Sequence, residues 1–200
     1  AAEALIDLAQ WFADSGGAAA GRMARHLAEL PDWAQGTVRP AASRGPLAPG
    51  MHPLGAAFGV PFGSLRAEAL AALLDTTQAS AVRLSPWRVL LLEDAALVPA
   101  AGFVTEASDP LLRVDVCPGM PDCAQASVET RALALHLAPH VAGRLHVSGC
   151  AKGCAQPRAA AVTLTGRGGA FDLSFDTRAG APAAIAGLSP HQILKHFGAD

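Results

Sequence analysis

Residues 111–123 read LLRVDVCPGMPDC and residues 144–154 read RLHVSGCAKGC, and these two stretches hold all four cysteines of the chain. In each stretch a short apolar run, typical of a β-strand, leads directly into a loop with two cysteines. The segment between them, 124–137, has helical spacing, so the two strands are expected to run parallel. The sequence therefore predicts that both cysteine pairs leave one sheet at the same edge and that their four thiols converge there.

Further elements are expected on the carboxyl side of the second cysteine loop. Apolar alternation predicts strands at 160–165 and 171–175 around a turn at 166–169. Ser189-Pro190 predicts the start of a terminal helix that reaches Phe197, because serine caps helices and proline suits the first helical position. Together with the cysteine loops, these elements predict a mixed α/β domain over residues 107–200.

Upstream of the cysteines the pattern is β-α-β-β. Strands are predicted at 57–62, 81–84 and 88–92, with a helix opened by Ser64 and an apolar stripe at Leu65, Ala69, Leu73 and Leu74. This pattern predicts a small half-domain over residues 45–106, so the fold class is α+β. Residues 1–44 are predicted to be a helical lead-in, with helices at 4–12 and 22–30, followed by a linker rich in Pro and Gly.

Composition excludes several classes of protein. The chain has 200 residues, of which 51% are hydrophobic and 16% are charged, so disorder is excluded and a core can form without disulfides. The net charge is -2, from 15 basic and 17 acidic residues, so the chain as a whole attracts neither nucleic acid nor anionic lipid. No charge-free apolar run reaches the roughly eighteen residues of a membrane span. Glu3 and Asp7 stand where a signal peptide would be basic, so a cytoplasmic location is expected.

Converging thiols can serve more than one chemistry. Disulfides need an oxidising compartment, for which the sequence has no signal. Structural zinc usually takes cysteine pairs separated by about two to four residues, whereas five residues separate the first pair here. An iron–sulfur cluster needs four thiolates spread around a cube. The surrounding glycines and prolines suit such a cluster: Pro118, Gly119, Pro121, Gly149, Gly153 and Pro157. The residues favour the cluster and leave zinc, or four unrelated cysteines, as alternatives.

The order of these motifs resembles a known superfamily. Cys-x5-Cys, a helix, a strand and Ser-Gly-Cys-x3-Cys followed by Pro157 are similar to the cluster-binding half of the nitrite and sulfite reductases. Residues 59–63, GVPFG, and 82–88, VRLSPWR, resemble the ferredoxin-like half-domain of that superfamily. The resemblance covers about residues 45–200. It implies a ferredoxin-like half-domain over 45–106 and a [4Fe-4S] cluster-binding domain over 107–200.

Within that superfamily, residues 146–155, HVSGCAKGCA, are most similar to the precorrin-3B synthase family. The assimilatory reductases typically have Pro-Asn where this chain has Ala151-Lys152. The resemblance implies an oxidoreductase of aerobic cobalamin biosynthesis, a monooxygenase that hydroxylates precorrin-3A and closes a lactone. Its partners would be O2, an electron donor and the tetrapyrrole substrate. Its cofactors would be the [4Fe-4S] cluster, and they could include a separate mononuclear iron.

Two rival functions remain open at the level of sequence. A sirohaem-dependent sulfite or nitrite reductase would share the architecture, and in it Cys154 would also bind the sirohaem iron. A non-catalytic, zinc-stabilised binding module would use the same thiols for structure alone. Members of the superfamily consist of two homologous halves, so this chain is expected to lack an amino-terminal half and could bind a cluster while being inactive alone.

The resemblance assigns roles to individual residues. The cluster ligands would be Cys117, Cys123, Cys150 and Cys154. Arginine and lysine bind carboxylates, which the tetrapyrrole carries in number. The candidates for this contact are Arg83, Arg88, Lys152 and Arg158. For Arg83 and Arg88 the alternative is a place on the solvated face of an edge strand.

The histidines carry less information. Imidazole is a common iron ligand, and the chain offers His52, His136, His140 and His146 for that role. No convergent set with metal-ligand spacing is evident among them, so we expect surface or capping histidines. No catalytic residue is assigned from the sequence.

Overall fold

The computed structural model describes residues 2–36, 38–39 and 45–199. The chain divides into two compact units, Ala1–Gly45 and Pro46–Asp200. The predicted domain boundary near residue 106 stays a prediction. Residues 37 and 40–44 of the predicted linker lie outside the described residues.

The first unit is helical. Helix α1 spans Ala2–Asp14 and a short α2 spans Gly17–Ala20, followed by single 3-10 turns at Met23–Arg25 and Asp32–Ala34. The helix predicted at 4–12 is confirmed within α1. The helix predicted at 22–30 is wrong, because the backbone is extended at both Arg22 and His26 and leaves room for one turn only.

The second unit opens with a four-stranded antiparallel sheet. Its strands are β1 (Gly50–His52), β2 (Gly55–Gly59), β3 (Ala81–Leu84) and β4 (Val89–Glu93), in the order β1-β2-β4-β3. Helix α3 (Ala67–Thr77) packs Leu73 against Phe58 and Leu92 of the sheet. Ser64 does not cap this helix, because a 3-10 turn at Pro61–Gly63 leaves Ser64 extended and the helix begins only after Arg66.

A five-stranded mixed sheet follows in the same unit. It contains β5 (Val114–Val116), β6 (Leu145–Ser148), β7 (Ala160–Arg167), β8 (Ala170–Thr177) and β9 (Ile185–Leu188), in that spatial order. Strands β5, β6 and β7 are parallel, whereas β7, β8 and β9 are antiparallel. The predicted parallel pairing of the two strands that precede the cysteines is confirmed.

Two helices cover this second sheet. Helix α4 spans Arg131–Leu137 and helix α5 spans Pro190–Phe197. Ser189 caps α5 in a capping box with Gln192, as the sequence predicted for that end. Two boundaries differ from expectation: 110–113 form a 3-10 turn before β5, and 117–130 form a loop, so α4 begins later than residue 124. With helices packed on one antiparallel and one mixed sheet, the α+β fold class is confirmed.

Among the helices that the structure describes, none combines the length and the apolar character needed to cross a membrane.

Candidate functional site

The two cysteine loops leave the second sheet side by side. Val116, the last residue of β5, pairs with Val147 of β6, so the chain enters both loops at the same edge. The Gly149 N–H donates to Cys117 Sγ at 3.1 Å, and the Ser127 N–H donates to the Gly149 carbonyl at 2.9 Å. The two loops are therefore joined directly by hydrogen bonds.

The first loop, 117–130, is held mainly by its own hydrogen bonds. The Thr130 hydroxyl donates to the Cys117 carbonyl at 2.7 Å, and the Cys123 N–H donates to the Gly119 carbonyl at 2.8 Å. Cys117 is 8% exposed. Gly119 has a φ of +70°, and a Cβ there would lie 2.5 Å from Thr130 Oγ1, so a larger residue does not fit.

The second loop, 149–157, is more open. The Ser148 hydroxyl donates to the Cys150 carbonyl at 2.7 Å, and Cys150 is half-buried. Cys154 is exposed. Gly153 has a φ of +63° and lies so close to the turn at 178–182 that a Cβ on it would be 3.0 Å from the Ala179 Cβ. The second loop therefore rests on a neighbouring turn.

The geometry of the thiols constrains what they can hold. All four cysteines are free. Across residues 2–36, 38–39 and 45–199, no three His, Cys, Asp or Glu side chains lie close enough together to bind one metal ion. A tetrahedral zinc needs its sulfurs about 2.3 Å from a single point, whereas a [4Fe-4S] cluster spreads its four thiolates around a cube. Four thiols on two joined loops are the donor set that a [4Fe-4S] cluster takes, and the cluster stays a prediction.

An acidic residue that sequence reasoning missed lies beneath the loops. Asp115 of β5 accepts a hydrogen bond from Arg144 at 2.6 Å and another from Gln156 at 3.1 Å, and Arg88 lies 3.6 Å away. Gln156 follows the second cysteine pair closely, so this carboxylate fixes the carboxyl end of the second loop. A single acid in the apolar strand Val-Asp-Val, directly before Cys117, is the signal that could have identified it.

The predicted carboxylate-binding arginines lie in different settings, Arg83 on β3 and Arg88 directly before β4. Arg88 donates to the Val114 carbonyl at 2.7 Å and to the Leu112 carbonyl at 3.3 Å, and it lines a cavity of about 320 Å³ that also contains Ala155. Arg83 of β3 is 61% exposed and pairs with Glu93 on the adjacent strand. The structure therefore brings Arg88, but not Arg83, next to the second cysteine loop.

The two predicted cations in and directly after the second loop, Lys152 and Arg158, are both exposed. Lys152, between Cys150 and Cys154, lines a cavity of about 580 Å³ together with Arg178, which the sequence reasoning did not single out. Arg158 is outside that lining, and its N–H donates to Gln156 Oε1 at 3.0 Å.

The four histidines do not converge. His52 Nδ1 accepts a hydrogen bond from the Leu54 N–H, and His136 and His140 are exposed around the end of α4. His146 of β6 is 0% exposed, and burial lowers its pKa, an effect that the charge of Asp115 opposes. Within the described part of the chain, neither ring nitrogen of His146 has a hydrogen-bond partner.

No family model matches the chain. A curated protein of Sinorhizobium sp, named precorrin-3B synthase, is 36% identical over 170 aligned residues, which cover 73% of this chain and 37% of that protein. The structure of the Mycobacterium tuberculosis NirA protein matches with a TM-score of 0.47 and 21% identity, over 70% of this chain and 34% of that one. This chain thus spans little more than a third of the curated relative. Over the aligned residues, it is a homologue of precorrin-3B synthase.

Proposed function

We propose that this chain is the cluster-binding part of an oxidoreductase like precorrin-3B synthase, corresponding to its carboxyl-terminal half. In this proposal Cys117, Cys123, Cys150 and Cys154 hold a [4Fe-4S] cluster. The observation that carries the proposal is the joining of the two cysteine loops, in which the Gly149 N–H donates to Cys117 Sγ at 3.1 Å. Hydrogen bonds of this kind stabilise a thiolate and tune the potential of an attached cluster.

The cluster would supply one-electron transfer to the reaction. The remaining work belongs to the chain itself. Lys152 and Arg158 are exposed next to the cysteines and would bind carboxylates of the tetrapyrrole. Arg88 would bind a carboxylate in the neighbouring cavity, where its guanidinium is already oriented by Asp115 and two carbonyls. Arg83 stays a weaker candidate because it is paired with Glu93.

The finer chemistry is part of the same proposal. The reaction would be the oxygen-dependent hydroxylation of precorrin-3A at a ring carbon, with lactone formation from an acetate side chain and electrons from a separate donor. A mononuclear iron for the oxygen chemistry would belong to the part of the enzyme that is outside this chain. Iron-binding thiols must stay reduced, so a cytoplasmic location is included in the proposal.

Anaerobic purification followed by iron, zinc and acid-labile sulfide analysis tests the cluster. We expect a brown wild-type chain with iron and sulfide in equal amounts. Cys123→Ser should lose the colour and destabilise the second unit, because the binding free energy of a required metal group is also folding free energy. The matched control is Asp122→Asn, which changes the adjacent exposed side chain and should keep the colour.

Three outcomes would count against the proposal. A colourless wild type would exclude the cluster. One zinc per chain without sulfide would also exclude it and would favour the zinc-stabilised binding module. A sirohaem absorption spectrum from the full-length protein would instead move the function to a sulfite or nitrite reductase.

A further inference from the structure

A cavity of about 580 Å³ lies between the second cysteine loop and the turn at 178–182. Sites for small molecules typically measure about 300–1,000 Å³, so this cavity is large enough to take part of a ligand. The loop contributes residues from 151–157, including Lys152, and the turn contributes Arg178.

The charged side chains that line this cavity are both positive. Lys152 and Arg178 are its charged lining residues, and no carboxylate lines it in the described part of the chain. Within that same part, neither cation forms a salt bridge. Other arginines of this sheet are paired, as Arg144 is with Asp115 and Arg167 with Asp172. Two unpaired cations at one cavity favour an anionic ligand.

The backbone around Arg178 is fixed by buried hydroxyl groups. Thr163 of β7 donates to the Thr177 carbonyl at 2.7 Å, and Thr165 accepts from the Gly180 N–H at 3.3 Å. Both threonines are almost fully buried. Residues on both sides of Arg178 are thus attached to a central strand, and only the arginine side chain remains to be ordered by a ligand.

The relative position of the two backbone segments that carry these cations is set by direct packing of the turn on the loop. Gly180 has a φ of +81°, and a Cβ there would lie 2.7 Å from the Ala151 carbonyl oxygen. On the opposite side of Lys152, a Cβ on Gly153 would lie 3.0 Å from the Ala179 Cβ. Since the backbones touch on both sides of Lys152, the loop and the turn form one preorganised wall of the cavity.

We propose that Arg178 is a further substrate-binding residue, which together with Lys152 binds a carboxylate side chain of a tetrapyrrole in this cavity. The inference rests on the proposed function for the class of ligand. Its own evidence is the pair of unpaired cations and the rigid turn that carries one of them. Arginine suits this role because its planar guanidinium binds a carboxylate through two parallel hydrogen bonds.

Uroporphyrin, in which every pyrrole ring carries two carboxylates, is the probe for the test. Its affinity for the purified chain is measured by fluorescence titration, with iron and sulfide determined on the same samples. Arg178→Gln and Lys152→Gln should each weaken binding by about fivefold, as expected for partly exposed charge-assisted contacts. Arg178→Lys should recover part of the loss, and coproporphyrin, with one carboxylate per ring, should bind more weakly than uroporphyrin.

Lys195→Gln is the matched control, since it removes one exposed positive charge from α5, away from the cavity lining. It should leave the affinity unchanged. The inference is overturned if the wild type does not bind uroporphyrin, if Arg178→Gln binds as well as the wild type, or if Lys195→Gln causes an equal loss. When these results come from protein with normal iron and sulfide, the proposed function survives. If protein without a cluster binds uroporphyrin and this binding depends on Arg178, the result contradicts the proposed function but not the role of Arg178.

Discussion

The two cysteine loops leave the same sheet edge and are held in different ways. The first loop has a buried sulfur at Cys117, and Thr130 closes it by bonding to the Cys117 carbonyl. The second loop has an exposed cysteine, Cys154, and an exposed cation, Lys152, and it is supported by contact with the turn at 178–182. Hydrogen bonds within the loop thus fix the first one, while the second is bonded at its two ends by Ser148 and Asp115 and is positioned between them by packing on glycine.

This difference separates two tasks. A loop that is tied down by buried hydrogen bonds can hold ligand atoms at fixed positions. A loop that rests on a neighbouring turn shares a cavity with that turn and presents its side chains to a bound molecule. The first loop is therefore mainly a scaffold, and the second is where the chain meets its ligand. Substitutions that affect one loop and spare the other test this division.

Gly149→Ala should have the largest effect, because Gly149 is where the two loops meet. A Cβ at this position would lie 2.6 Å from the Ala126 Cβ, well inside van der Waals contact. We expect a loss of about 3 kcal/mol in the free energy of unfolding, typical of overpacking at a site that cannot relax. Urea unfolding of the anaerobically purified chain measures it.

The comparison variant for this test is Gly168→Ala. Gly168 has a φ of +55° but no atom within 4 Å of the added Cβ, so only backbone strain, about 1 kcal/mol, should oppose the alanine. If Gly149→Ala costs no more than Gly168→Ala, the close approach of the two loops is not what holds them together.

Thr130→Val tests the first loop by itself. The valine keeps the shape of threonine, but the Cys117 carbonyl loses its hydrogen-bond donor in a buried place, since Thr130 is 1% exposed. We expect a loss of about 1.5 kcal/mol in the free energy of unfolding. Thr76→Val is the control, because its hydroxyl bonds to the Ala72 carbonyl on an exposed helix face and its loss should cost less than about 0.5 kcal/mol. Equal costs would mean that the first loop does not depend on this bond.

Much of the scaffold could be predicted from the sequence because its signals are local. The apolar runs before Cys117 and Cys150 formed parallel strands β5 and β6, and the hairpin of β7 and β8 followed from alternation around a turn. The Ser189-Pro190 signal likewise gave the start of α5, because a capping box involves only neighbouring residues.

The errors occurred where distant parts of the chain decide local structure. Ser64 has the chemistry of a helix cap, but the turn before it leaves its backbone extended, so the helix starts later. Strand β1 is short and forms only by pairing with β2, a contact that periodicity does not report.

The candidate site was predictable in part for the same reason. Its cysteines are visible as a spacing motif, whereas Asp115 and Arg178 acquire their roles from partners far along the chain. Asp115 meets Arg144 across 29 positions, and Arg178 reaches the cavity only because its turn packs on the second loop. A residue whose partners come from other elements leaves no spacing signal of its own.

His146→Leu should change the free energy of unfolding least. It tests a buried residue that packs against the second loop. The imidazole is buried next to Gly153, with its Cε1 3.6 Å from where a Cβ on that glycine would be, and no described residue bonds to either ring nitrogen. Burial lowers the pKa of His146. Below the usual histidine pKa of about 6.5, the unfolded chain therefore takes up a proton that the folded chain does not. The free energy of unfolding should therefore decrease as the pH is lowered, with a limiting slope of about 1.4 kcal/mol per pH unit for one proton.

Leucine at position 146 removes this dependence. The variant should be within about 1 kcal/mol of the wild type at neutral pH, since it replaces an unsatisfied buried group by an apolar one. The free energy of unfolding of His146→Leu, relative to wild type, should increase as the pH is lowered from about 7 to about 5. The control is His140→Gln, at an exposed position, which should show the same pH dependence as the wild type. Urea unfolding of the anaerobically purified chain across this range gives the comparison. If His146→Leu and wild type lose stability in parallel, the histidine is hydrogen-bonded or charged in the folded chain.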